Sequence, residues 1–384
     1  MKWYMAFHKK RTWLLLFIPI SLLTLWIARS NVKIAEYVFA EGLYRWISQG
    51  LSLITGLVPF SVMELEIISL PVITLIIVIR FVRKLVRTAR KKQGGTAYLF
   101  AEGILNTACV LGLILFLYVN LAGVNYYRYP FSVFGDLEIK EASVDELYGL
   151  CSELAVNAAN IRTQLTEQNA EDSNGVLKVD RDGWKEVSKI AGESYEKAAK
   201  EYPILGGNYA SPKTVFFSEF MSRMEITGIF WPFTMEANVN IDAGEYAVPA
   251  AMCHELAHLR GFMREDEANF IAYLVSRQSD NLEFQYSGTM LALAYAGEQL
   301  YIQDEDLYRQ VQDVYTEGMR ADIREDYYYW KQFEDTVIST VSNTMNDTYL
   351  KVNSQNDGVK SYGRMVDLLL ADYRKNHPAQ FFKD

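Results

Sequence analysis

The sequence predicts an α+β chain that is mainly α: N-terminal transmembrane helices, then a soluble domain with a small sheet and a helix carrying His-Glu-x-x-His. Three observations predict it. Residues 1–124 are apolar and hold three runs long enough to cross a bilayer. Residues 125–384 carry 24 Lys/Arg and 42 Asp/Glu, a net charge of −18, and have the texture of a soluble domain. Within that half, one Gly-, Pro- and β-branched-rich stretch interrupts helical periodicity, and the histidine motif follows it at once. With 50% hydrophobic and 14% aromatic residues over 384 positions, the chain can bury a sizeable core.

The membrane region, 1–124, is justified span by span. The first is "TWLLLFIPISLLTLWIA", about 12–28; the second runs over about 62–82 and the third over about 99–121. Residues 36–58 are apolar but broken by Glu41, Arg45 and Gln49, and read as an interfacial or re-entrant helix. A fourth span there is the competing reading, and a cleaved signal peptide is the competing reading of residues 1–28. Lys2, Lys9, Lys10 and Arg11 precede the first span; Arg80, Arg83, Lys84, Arg87, Arg90, Lys91 and Lys92 follow or end the second. Only Arg29, Lys33 and Arg45 lie between them. The positive-inside rule therefore places the N-terminus in the cytoplasm and, with three spans in the cytoplasmic membrane, residues 125–384 outside it.

In the soluble half, helices are expected at 142–170 and 180–201, separated by "EDSNGVLKVDRDG". Short strands follow at about 213–218, 227–231 and 237–241. "VPAAMCHELAHLRGF" opens a helix with Pro249 near its first turn, and a second helix runs from 264 to about 278. Residues 286–350 are mostly helical, "EDYYYW" reading as a packed aromatic face, and a last helix lies near 361–375. The acidic balance excludes a nucleic-acid partner, since no basic stripe is available for phosphates. Three cysteines make no disulfide framework; Cys151 and Cys253 pair only if the fold joins them.

His254 and His258 are four apart, so on a helix both imidazoles leave one face and can bind one ion. Glu255 stands beside the first and can take a proton from water at the open position, which is the chemistry of His-Glu-x-x-His zinc hydrolases. Cys253 points about 100° away from His254 and reads as a small buried residue, not a ligand. Catalytic zinc needs a third protein ligand, and the acids at hand are Glu265, Asp266 and Glu267. On one unbroken helix Glu265 would lie about 10 Å beyond His258, so the helix must break. Gly261 supplies the break. Glu265, Ala268, Asn269 and Ala272 then share one face of the second helix. This favours Glu265 as the ligand and Asn269 as the residue holding a ligand's second nitrogen. Asp266 and Glu267 are expected to be solvated or to cap the helix.

"HELAH" followed by "EDEAN" resembles the gluzincin metallopeptidases, whose third ligand is a glutamate on a following helix. It is similar to the antirepressor-cleaving metallopeptidases, and to the CAAX prenyl endopeptidases with Asn269 in place of an aspartate. That match implies Glu265 as ligand and Asn269 as its support. The gap from His258 to Glu265 is shorter than in many gluzincins. Through "GIFWPFTMEANVN", "CHELAHLRGFMREDEANFIAYL" and "QYSGTMLALAY", most of the chain resembles an uncharacterised bacterial family of membrane-anchored zincin-like proteins. The resemblance implies a zincin-like extracytoplasmic domain.

A zincin needs a strand edge for a peptide, and "PFTMEANVNI", with Asn238 and Asn240, is the candidate. Tyr286, Tyr362 and Arg364 are candidates for oxyanion or substrate contact. Glu236 and Asn238 are candidates for orienting the helix or its ligands. Ser218 and Ser287 have no histidine available for a triad. The expected function is a membrane-anchored zinc (Zn²⁺) metallohydrolase, a peptidase in the first place, acting on a peptide or protein outside the membrane. The alternatives are a catalytically silent zincin-like binding or scaffold module and a cell-wall amidase.

Overall fold

The computed structural model describes residues 10–91, 95–336, 338–340, 342 and 363–377. It is mainly helical with one small sheet, and its helices and strands form two compact units. One unit takes Met1–Ile47, Val62–Arg128 and Pro232–Thr234; the other takes Ser48–Ser61, Tyr129–Trp231 and Met235–Asp384.

The first unit is built on α1 (Phe17–Ser30, entered through a 3-10 turn from Lys10), α3 (Val62–Arg90) and α4 (Thr96–Leu121). Three helical stretches, Arg11–Ser30, Val62–Arg90 and Thr96–Leu121, are long and apolar enough to cross a membrane, and the chain is a membrane protein on that ground. α1 and α4 pack through stacked Phe17 and Phe116. At Gly112 a side chain would press on Ile18, so the glycine lets the two helices close up. Glu36 and Arg128 are both buried and form a two-pronged ion pair at 2.5 and 3.1 Å. The segment expected as one interfacial helix is a π-helical stretch, Ile34–Tyr44, running on into α2 (Arg45–Gly56). The division between units falls inside α2.

The second unit adds α5 (Phe131–Gly135), α6 (Val144–Glu167) and α7 (Trp184–Ala198), then β1 (Lys213–Thr214), α8 (Ser218–Arg223), β2 (Gly228–Trp231) and β3 (Glu236–Val239). α9 (Val248–Leu259), α10 (Glu265–Arg277), α11 (Leu282–Gln303), α12 (Glu305–Gln312), α13 (Glu317–Lys331) and α14 (Arg364–Asn376) complete it. Ser143 and Glu146 make a reciprocal capping box that starts α6. α11 packs against α6, α9 and α10. Buried Asp322 ties α13 to its surroundings by accepting from Arg162, Leu177 N–H and Tyr286.

The sheet order is β1-β3-β2, with β1 parallel and β2 antiparallel to β3. The first strand stops at Thr214, short of 218, because Phe217 and Ser218 turn the chain into α8. The "EDYYYW" face is not packed throughout. Tyr327 and Tyr328 are 52% and 63% exposed, whereas Tyr329 and Trp330 hydrogen-bond Asp242 and Asp326. Three aromatics in succession sweep through most of a helical turn, so one packed face cannot hold them all.

Candidate metal centre

α9 ends in a Schellman turn. Phe262 N–H donates to Ala257 O at 3.1 Å and Gly261 N–H to His258 O at 2.8 Å, with Gly261 at φ +87°. The turn releases the chain at Arg264, and α10 starts on Glu265. Ala268 and Ala272 are wholly buried on the α10 side that packs toward α9. Three acids in the first turn of α10 suit the positive end of its dipole.

This brings one ligand atom each of His254, His258 and Glu265 within 4.8 Å of one another. His254 Nε2 lies 3.2 Å from Glu265 Oε2, and His258 Nε2 lies 3.6 Å from Glu265 Oε1. Both rings are held from behind. His254 Nδ1 is 2.7 Å from Asn269 Oδ1, and His258 Nδ1 is 2.7 Å from Phe262 O. With the Nδ1 atoms protonated toward these acceptors, each Nε2 presents its lone pair to the shared point. Ligand atoms about 2 Å from a tetrahedral ion stand about 3.3 Å apart, so the donor set and its spacing fit zinc.

Charge follows the same geometry. Burial alone would push the His258 imidazolium down, but the neighbouring Glu265 carboxylate lifts its pKa to about 9. Burial works against ionised Glu265, yet the two histidines hold it well below the ordinary carboxylate range. Burial pushes Glu255 up, opposed by the two histidines.

Glu255 is 4% exposed, and its Oε2 has no hydrogen-bond partner among the described residues. Phe230 N–H donates to this carboxyl. A Cβ on Gly228 would lie 2.4 Å from Glu255 Oε1, so only glycine lets the carboxyl sit against β2. Asn240 N–H donates to Thr227 O, which makes 227 and 240 a hydrogen-bonded pair. By alternation, Ile229 and Trp231 face β3, and the N–H and C=O groups of Gly228 and Phe230 point to the outer edge.

The edge beside α9 is therefore β2, and the expectation for "PFTMEANVNI" is corrected. β3 pairs on both sides, and Asn238 and Asn240 are 0% and 1% exposed. Asn238 accepts from Ser61 and Asn240 donates to Ser222 and to Ile226 O. Glu236 pairs with Lys213 at 2.5 Å. Tyr286 is also corrected: it is wholly buried and donates to Asp322 at 2.8 Å, so it cannot meet a substrate. Arg364 begins α14, where its charge acts on Asp266; Tyr362 lies outside the described residues. Glu267 is not solvated: it is buried, pairs with Arg264 and accepts from Phe131 N–H. Asp266 is half-buried. Cys109, Cys151 and Cys253 are free, buried thiols. Ser287 accepts from Ala250 N–H in the first turn of α9, and Ser218 donates to Val215 O, so both are structural.

Four participants escaped the sequence reading: Phe262 O, Gly228, the Phe230 N–H and Tyr295. Asn269 Nδ2 donates to Tyr295 Oη at 2.9 Å. Tyr295 is nine residues beyond Tyr286, about 900° of helix, hence on the opposite face of α11. A glycine opening a short strand 26 residues before His254 was the one visible signal for Gly228.

The family model described as a protein of unknown function (DUF3810) matches residues 39–370. No curated protein matches the chain. No solved structure matches it.

Proposed function

We propose that this chain, which belongs to the family of unknown function DUF3810, is a membrane-anchored zinc-dependent metallohydrolase, in the first place a peptidase. The observation that carries the reading is convergence. Two Nε2 atoms and the Glu265 carboxylate meet at one point, both Nδ1 atoms are engaged behind them, and Glu255 Oε2 has no partner beside them. His254, His258 and Glu265 would hold the zinc, which would supply Lewis acidity toward a water and an amide carbonyl.

The remaining steps belong to the chain. Phe230 N–H fixes one side of the Glu255 carboxyl, and Gly228 leaves room for it. Glu255 Oε2 takes the proton of the attacking water and passes it to the departing amine nitrogen. Asn269 and Phe262 O keep the histidine rings from turning. An extended peptide aligns along the outer edge of β2 through the N–H and C=O of Gly228 and the C=O of Phe230, the Phe230 N–H being kept by Glu255. The distribution of Lys and Arg around the spans supports an extracytoplasmic site.

The test uses the full chain in lipid nanodiscs, with zinc content by mass spectrometry and cleavage of a peptide library. One zinc per chain is expected, with cleavage abolished and zinc retained in Glu255→Gln. Stoichiometric zinc without Glu255-dependent cleavage favours a scaffold, and absence of zinc overturns the site.

A further inference from the structure

Segment 48–61 of the second unit is built inside-out. Its buried side is polar: Ser48, Ser52 and Thr55 are at most 9% exposed. Polar bonds lace that side to the strand region before and within β1. Asn208 N–H donates to Gln49, Ala210 N–H to Ser52, and Lys213 Nζ to both Thr55 O and Phe60 O at 2.8 Å. Its outer side is apolar: Ile54, Leu57 and Phe60 are 64%, 84% and 55% exposed. None of the fourteen residues from 48 to 61 is charged.

The chain just after β1 repeats the inversion. Ser218 and Ser222 are buried and hydrogen-bonded, while Phe216, Phe217 and Phe220 are 86%, 48% and 52% exposed. Lys213 grips the carbonyl of Phe60, and Phe216 follows three residues later, about 10 Å along an extended chain. The two apolar surfaces are thus carried by neighbouring segments of one unit, joined through Lys213.

Water selects the opposite polarity, and an apolar patch of this kind, in which exposed Glu219 is ion-paired with Arg223, marks an interaction surface. Its occupant is indicated by covalent continuity: Ser61 is followed directly by Val62, the first residue of the 29-residue apolar helix α3. We propose that Ile54, Leu57 and Phe60 together with Phe216, Phe217 and Phe220 form a rim that dips into the interfacial layer of the lipid bilayer. Aromatic and aliphatic side chains with few charges are the composition that lies at the headgroup boundary. β1 and β2 are two strand spacings apart, about 10 Å. Resting on the hydrolase reading, the rim then directs the β2 edge to peptide segments close to the membrane surface.

The experiment places a spin label at Leu57→Cys and, separately, Phe216→Cys in the full chain in phosphatidylglycerol/phosphatidylethanolamine nanodiscs. The three native cysteines are buried, so the label goes to the introduced thiol. Asp306→Cys, on a side chain 87% exposed, is the aqueous control. Collision with oxygen against a water-soluble nickel chelate reports depth. The expected oxygen-to-nickel ratio at both rim positions is several-fold above that of the control. Ratios equal to the control overturn the rim, and so does protection from both reagents, which would mean a protein partner or second copy covers it. The readout needs neither metal nor cleavage, so its failure is distinct from failure of the hydrolase reading.

Discussion

His258 Nδ1 lies 2.7 Å from the carbonyl oxygen of Phe262, so the turn that ends α9 also aims the second histidine. Gly261 stands between them at φ +87°, a region that costs an L residue about 1–2 kcal/mol. Gly261→Ala is expected to lower stability by about that amount and to weaken zinc binding as well. A denaturation series and a chelator competition on the same preparation check both effects.

Gly228→Ala is expected to separate binding from turnover. Its methyl would collide with the Glu255 carboxyl at 2.4 Å and not with a ligand nitrogen. Zinc content should stay stoichiometric while Glu255-dependent cleavage falls by about two orders of magnitude, the scale of a lost general base. Loss of zinc together with cleavage would show that Gly228 serves the ligands instead.

Asn269 holds His254, and Tyr295 holds Asn269. Asn269→Leu should cost about 10- to 100-fold in zinc affinity, as removal of a histidine's second partner does. Tyr295→Phe removes only the outer bond and should cost less than Asn269→Leu. A competition titration with a zinc chelator ranks the two; a reversed order would place Tyr295 directly at the metal or substrate.

Asp326 tests the electrostatics away from the centre. Burial raises its carboxyl from 3.8 to about 6, against hydrogen bonds from Trp330, Gly244 N–H and Tyr246. The folded chain therefore binds this proton more tightly than the unfolded chain. The resulting stability is present below pH 4 and lost as pH rises through 6, to a limit of about 3 kcal/mol. Asp326→Asn should flatten the melting temperature across that interval, measured by thermal melts from pH 4 to 7.

What could be read without the fold was local. Span length follows from rise per residue, so α3 and α4 were legible as apolar runs. The pairing of His254 with His258 and the need for a break before Glu265 follow from helical pitch, and Gly261 was legible because few other residues tolerate a positive φ. The centre's outer parts were not legible. Which of three short strands lies at the edge depends on pairings between residues far apart in sequence, and β3 took the middle place expected of none of them. Tyr286 and Tyr295 lie on one helix with similar neighbours; only the packing of α11 between α6 and α10 decided that one binds Asp322 and the other Asn269. The inside-out polarity of 48–61 likewise needed β1, because a serine is buried or exposed according to what packs on it. Periodicity is a property of a segment, whereas edges, faces and partners are properties of the contacts between segments.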